Sequence, residues 1–299
     1  MHLSKNYSKS LLFVVFAAVL LIFTSVMWWQ KDYLSPDRVF RDMLANNLNT
    51  YGYTKIIDQK NDAQEYTEKI QAFYGPTNGV YSTTSITKKE NGKTTSRVKT
   101  ETIGNTKDQR ARYIEITTDL KGDKGTIINF NDLVNAWASQ DVSNGSGLYA
   151  GSKYGIVPFG FLTQPQRNEL INFIAKNDVY TFKKLDDVPD VNSSTYVYKV
   201  LVNQKAQIEM NKKYAELTGD KSLASINADQ YADQKDIEVQ FYIDKYSRQL
   251  KKVRYMAVGI SEEYAGYGIS KNLELPNATV STEELQSKLS ERAAKAKRD

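Results

Sequence analysis

Few residues in this chain could do chemistry. Its 299 residues include no cysteine and one histidine, His2. Thiol nucleophiles, disulfide frameworks, histidine general bases and histidine zinc sites are therefore excluded from everything beyond the second residue. Ser96-Arg97-Val98-Lys99 has the S-x-x-K spacing of serine–lysine acyl transfer, which needs both side chains on one helical face. Here the four residues sit in an alternating stretch, which puts Ser96 and Lys99 on opposite faces. No S-D-N or K-T-G accompanies them. The glycine-rich run Ser143–Gly155 contains Gly151-Ser152-Lys153, but the spacing from Gly145 or Gly147 does not fit a P-loop. The carboxylate groups Asp58/Asp62, Asp186/Asp187/Asp190 and Glu262/Glu263 lack EF-hand spacing. No catalytic residue, metal ligand or cofactor is expected, and the chain reads as non-enzymatic.

The dominant element is Leu11–Trp29, LLFVVFAAVLLIFTSVMWW, with no charged residue. Nineteen helical residues at 1.5 Å each span about 28 Å, close to the thickness of a bilayer's hydrocarbon core. The run exceeds the apolar region of a signal peptide, and Met27-Trp28-Trp29 stands where a cleavage site needs small residues. An uncleaved anchor is expected. Lys5 and Lys9 precede it without an acid, so the positive-inside rule keeps residues 1–10 cytoplasmic and exports the chain beyond Trp29. The expected organisation is a cytoplasmic N-terminus (1–10), an anchor in the lipid bilayer (11–29), a linker (30–35), an extracytoplasmic domain (36–276) and a charged tail (277–299). The expected localisation is the cell membrane, single-pass.

Within the domain, Ser35-Pro36-Asp37 forms a helix start, followed by Val39, Phe40, Met43, Leu44 and Leu48 at helical spacing. From Thr54 to about Phe130 the period falls to two. Candidate strands are 66–74, 79–88, 94–103, 110–119 and 125–130, and Asn91-Gly92 makes 79–103 a hairpin. Many of these strands carry threonine and serine on one face and Val, Ile or Tyr on the other, so one face packs and the other is wet. A short helix at 131–138, a glycine-rich loop and an apolar lip (Ile156–Leu162) follow. Then come helices at 165–176 and 204–218, strands at 178–184 and 195–203, and a hairpin over 236–258. A strand at 266–275 closes the domain. Twenty tyrosines suit half-exposed strands.

The order of elements, with VQFYIDKYSRQLKKV and the closing YGISKNLELP, resembles the LolA/LppX-like family of bacterial envelope proteins over about 36–276. That resemblance implies an incomplete antiparallel barrel covered by helices, with a hydrophobic cavity holding a lipid or acyl chain and no catalytic residues. This chain departs from the family in carrying an apolar anchor instead of a lipobox cysteine.

The expected fold is α+β: a curved antiparallel sheet wrapping helices at about 36–48 and 165–176. The expected function is binding of a hydrophobic or lipid ligand between sheet and helices. The lining would be Phe40, Met43 and Leu44, the inward face Ile237, Val239, Phe241 and Ile243, and the lip residues Phe159 and Phe161. These same residues also suit a packed core. The alternative is a structural or sensory envelope domain with a filled core. The tail from Lys288, five basic residues against two acids, could attract an anionic envelope polymer. Nucleic acid is not expected on the exported side.

Overall fold

The computed structural model describes residues 18, 20, 21, 24, 27, 35–75, 78–121, 125–142, 147–185, 188–189, 191–220 and 223–294. Ala18, Leu20, Leu21, Thr24 and Met27 are helical, and Thr24 Oγ1 donates to the Leu20 carbonyl at 2.9 Å. The rest of the expected anchor lies outside the described residues. Among the described residues no helix is long and apolar enough to cross a membrane.

Helix α1 (Pro36–Asn47) begins as its sequence dictates, with Ser35 Oγ accepting from the Arg38 N–H at 3.3 Å. Five long strands come next: β1 (Gly52–Lys60), β2 (Gln64–Phe73), β3 (Gly79–Glu90), β4 (Lys93–Gly104) and β5 (Asp108–Thr118). The β3–β4 turn places Asn91 and Gly92 at φ 50° and 77°, the left-handed pair that a two-residue hairpin requires. Then come β6 (Ala138–Asp141), α2 (Leu148–Lys153), α3 (Gln164–Lys176), β7 (Tyr180–Leu185), β8 (Thr195–Val202) and α4 (Gln204–Leu217). The chain ends with β9 (Ile237–Asp244), β10 (Leu250–Tyr255), β11 (Ile260–Ala265), β12 (Val280–Ser281) and α5 (Thr282–Ala294).

All twelve strands form one sheet in the order β12-β6-β5-β4-β3-β2-β1-β11-β10-β9-β8-β7. It is two meanders sharing a seam. The first runs outward from β1 to β6; the segment carrying α2 and α3 crosses to the far edge; the second meander returns from β7 to β11, which pairs with β1. The sheet stays open, with β7 and β12 as its edges. The protein is thus α+β, with a large open sheet and few helices.

Helices α1, α3 and α4 and the lip cover one face, called inner here. Phe40 lies parallel to Phe182 and Phe241, with ring centroids at 4.5 and 5.7 Å. A main apolar cluster joins these helices to β7–β10 and the seam. A second, smaller cluster of Phe130, Leu133, Ala138 and Leu285, with Tyr113 and Ile116 against it, lies at the other end of the sheet. The stretch read as a charged tail therefore contains β12 and α5, whose Leu285 is buried.

Several expectations are corrected. Residues 266–275 form no strand, because Gly266 and Gly268 adopt φ 62° and 80° and bend the chain; β11 takes the place of that strand in the sheet. In 125–130 only a single bridge, Lys121 to Ile127, forms, since Phe130 and Ile128 serve the second cluster. The helix expected at 131–138 is one 3-10 turn, Asn131–Leu133, before β6. The glycine-rich run contains α2, held by the hydroxyls of Tyr53 and Tyr74, which each donate to the Ser152 carbonyl at 2.8 Å. Ile156, Val157, Phe159 and Leu162 of the lip are buried.

Candidate functional site

The structure brings most of the nominated lining residues together, as packed interior. Phe40, Met43, Leu44, Phe159, Val239, Phe241 and Ile243 are buried in the main cluster, and Ile237 packs half-buried against it. Phe159 stacks on Tyr264 at 5.1 Å. Phe161 stands apart, 40% exposed and stacked on Tyr51 at 4.1 Å. Ser96 and Lys99 do lie on opposite faces: Ser96 pairs with Thr118 on the inner face, while Lys99 meets Glu115 outside at 2.7 Å. Glu262 and Glu263 also split, to Lys55 inside and Lys252 outside. Among the described residues no group of three or more His, Cys, Asp or Glu could hold a metal.

A groove of about 620 Å³ lies on the helical side, lined by Phe173 of α3, Lys212 and Ala215 of α4, and Leu223, Ala224 and Ala228. Its cations are engaged: Lys212 Nζ donates to the Ile226 carbonyl at 2.7 Å, and Lys213 pairs with Glu169 at 2.8 Å.

The more informative feature is the inner face between the two clusters. Cross-strand partners share a face, so the register defines rows across the sheet. One row runs Phe241, Val253, Glu262, Ile57, Glu68, Thr84, Thr100, Tyr113. Phe241 and Val253 are fully buried under the helices. From Glu262 through Ile57, Glu68, Thr84 and Thr100 to Tyr113 the residues are only half-buried, and full burial resumes beyond Tyr113 at the second cluster. The neighbouring row is apolar from Tyr66 through Ile86 and Val98 to Ile116. A bulge helps build this far side. Thr100 pairs with Tyr113 and Lys99 with Glu115, leaving Ile114 unpaired and turning both Tyr113 and Ile116 inward. The result is a stretch of half-buried inner face over β2–β4, set between two apolar clusters.

Two carboxylates sit in this row. Glu68 accepts from Tyr66 OH at 2.6 Å and from Ser82 Oγ at 2.8 Å, one bond at each oxygen. Glu262 accepts from the hydroxyls of Tyr255 and Tyr264, and Lys55 Nζ lies 3.7 Å away, with both charged side chains under 15% exposed. Burial, then the adjacent carboxylates, push Tyr66, Tyr255 and Tyr264 well above the usual phenol range, so all three remain donors.

The expectation that threonine and serine would separate cleanly from the apolar residues fails here. Ser82, Thr84 and Ile86 share the inner face of β3, Ser82 buried where its hydroxyl donates to Glu68 and Thr84 half-buried beside it. Glu68 was not singled out in the sequence, and Glu262 was named only with Glu263 as a carboxylate pair. Alternation through Tyr66, Glu68 and Ile70 was the available signal for Glu68. Nothing local marks Glu262, whose neighbours on β1 are remote in sequence.

No family model matches this chain, and no curated protein does. Among solved structures it is similar to LprF from Mycobacterium bovis, at 11% identity and a TM-score of 0.36, over 81% of this chain and 97% of that one.

Proposed function

We propose that this is a membrane-anchored extracytoplasmic protein that binds a lipid-like amphiphile, without catalysis, in the inner-face channel over β2–β4. The observation that carries the reading is the fall in burial along one row, from fully buried Phe241 to half-buried Glu68, Thr84 and Thr100, between two apolar clusters. Apolar and polar rows lie side by side there, roughly 7 Å apart for a two-residue step along a strand. From β1 to β5 such a row extends about 19 Å at the usual strand spacing, the length scale of an acyl chain. The apolar run 11–29 and its flanking lysines support the anchor. The nominated residues Phe40, Met43, Leu44, Val239, Phe241 and Ile243 then act as the channel's packed backing. A second reading, a structural or sensory domain with a filled core, is favoured by the packing of those same side chains.

The absence of cysteine allows a clean test. Thr102→Cys on the inner face and Thr83→Cys on the outer face are each labelled with an environment-sensitive fluorophore in the full chain, held in a zwitterionic nanodisc. Monolauroylglycerol should shift the emission of the inner label to the blue and saturate, with no change at the outer label. Equal responses at both positions, or none, refute the channel and leave the filled-core domain in front.

A further inference from the structure

On the inner face of β2–β4, Glu68 is a half-buried carboxylate without a counter-ion, whereas Lys88 on the same face is exposed. Glu68 lies between the two clusters, and among the described residues no lysine or arginine nitrogen comes within 4 Å of it. The cations nearest in sequence or register are otherwise placed: Lys69 points to the opposite face, and Lys55 lies against Glu262. Three other carboxylates of the first meander are matched, while Asp58 and Glu90, nearer the strand ends, are not matched among the described residues. Glu65 meets Lys60 and Lys89, Glu101 meets Arg112, and Glu115 meets Arg97 and Lys99. Glu68 is also held in place. Hydrogen bonds accepted at both oxygens, from Tyr66 and Ser82, fix its orientation. In the same row, no protein group among the described residues engages the hydroxyls of Thr84 and Thr100.

We infer that the ligand of the channel carries a cationic amine headgroup, with Glu68 as its counter-ion and Thr84 as a second acceptor. A half-buried carboxylate without a cation is costly to keep, and a positioned ammonium offsets that cost while supplying three donors. Glu68 and Thr84 face each other on adjacent strands, within reach of one ammonium. The acyl chain then lies along the apolar row of Tyr66, Ile86 and Val98. An anionic head at the same place would meet Glu68 with like charge. The inference rests on the reading that an amphiphile occupies the channel at all.

The test compares three amphiphiles with matched chains, dodecylamine, monolauroylglycerol and laurate, on the Thr102-labelled full chain at pH 7 in zwitterionic nanodiscs. Dodecylamine should bind at least tenfold more tightly than the other two, and salt should erode that advantage. Glu68→Gln should abolish the preference, bringing dodecylamine to about the affinity of monolauroylglycerol for the same variant. If all three bind the parent chain equally, or laurate binds best, the headgroup inference is overturned and the channel reading stands. If none binds, the channel reading falls too. Should Glu68→Gln fail to fold, the selectivity and salt dependence of the parent chain decide the matter alone.

Discussion

Phe241 is the residue at which interior packing and ligand lining make the most divergent predictions. It is fully buried at the centre of the second meander, parallel to Phe40, opposite Tyr198 and Val253, and edge-on to Tyr180 at 6.2 Å. A buried phenylalanine removes about 150–250 Å² from water, worth roughly 4–6 kcal/mol at 25 cal/mol/Å². Alanine keeps a fraction of that, and the cavity left behind adds a penalty, so Phe241→Ala should cost about 3–5 kcal/mol. Urea unfolding of the full chain, monitored by tyrosine fluorescence, should show a lower midpoint with an unchanged slope. Phe161→Ala is the control: half in solvent and stacked on one exposed ring, it should cost under about 1 kcal/mol. Binding of monolauroylglycerol at the labelled channel should survive both changes. A loss under about 1 kcal/mol for Phe241→Ala, accompanied by loss of binding, would show that the ring lines vacant or solvated space, and the filled interior would be wrong.

Three further outcomes are expected. Lys55→Met should destabilise by about 3 kcal/mol by stranding Glu262, and adding Glu262→Gln should recover part of it; strict additivity in the double-mutant cycle would refute the coupling. Gly52→Ala places a Cβ inside contact distance of the Ile269 and Ala72 carbonyl oxygens, both backbone, so a loss of about 1–3 kcal/mol in urea unfolding is expected. Gly104→Ala, with its nearest neighbour at 3.5 Å, should be nearly silent by the same assay. At Asp244 burial alone would raise the carboxyl, but hydrogen bonds from Lys251, Ser247 and Tyr246 outweigh it and hold it at about 2 against an ordinary 3.8. A depressed acid contributes stability above the unfolded value and loses it as pH falls through the folded one. Asp244→Asn should therefore flatten the dependence of Tm on pH between about 4 and 2; an unchanged slope there would rule the contact out as a source of acid sensitivity.

Local signals made α1 and the β3–β4 hairpin legible. Ser35-Pro36-Asp37 is a helix start in any context, and Asn91-Gly92 fixes its turn. The seam was not legible. β1 carries Ile56 and Ile57 side by side, and β11 reads Ile-Ser-Glu-Glu-Tyr-Ala, so neither alternates cleanly. Their pairing is decided by remote partners: Lys55 and Tyr53 meet Glu262 and Tyr264 only once the second meander has returned. The candidate channel was hidden for the same reason. Its apolar residues looked like ordinary strand faces, and only the register shows that Glu68 lies in line with Phe241, with part of that line left uncovered by the helices. The nominated side chains were found by their hydrophobicity, which marks burial without telling a lining from a core.

The shared seam also orders events in time. β1 emerges early, yet the strand that completes its far side, through pairs such as Thr54–Ala265, is made near the end of the chain. At the usual 5–20 residues per second of synthesis, its edge waits roughly 10–40 s for that partner. During that interval the first meander presents an unpaired, nine-residue strand edge, the kind of surface that recruits foreign strands. Contacts so far apart in sequence also slow the final condensation. Nascent chains stopped after β6 should therefore aggregate or hold a chaperone, and release should coincide with the arrival of β11.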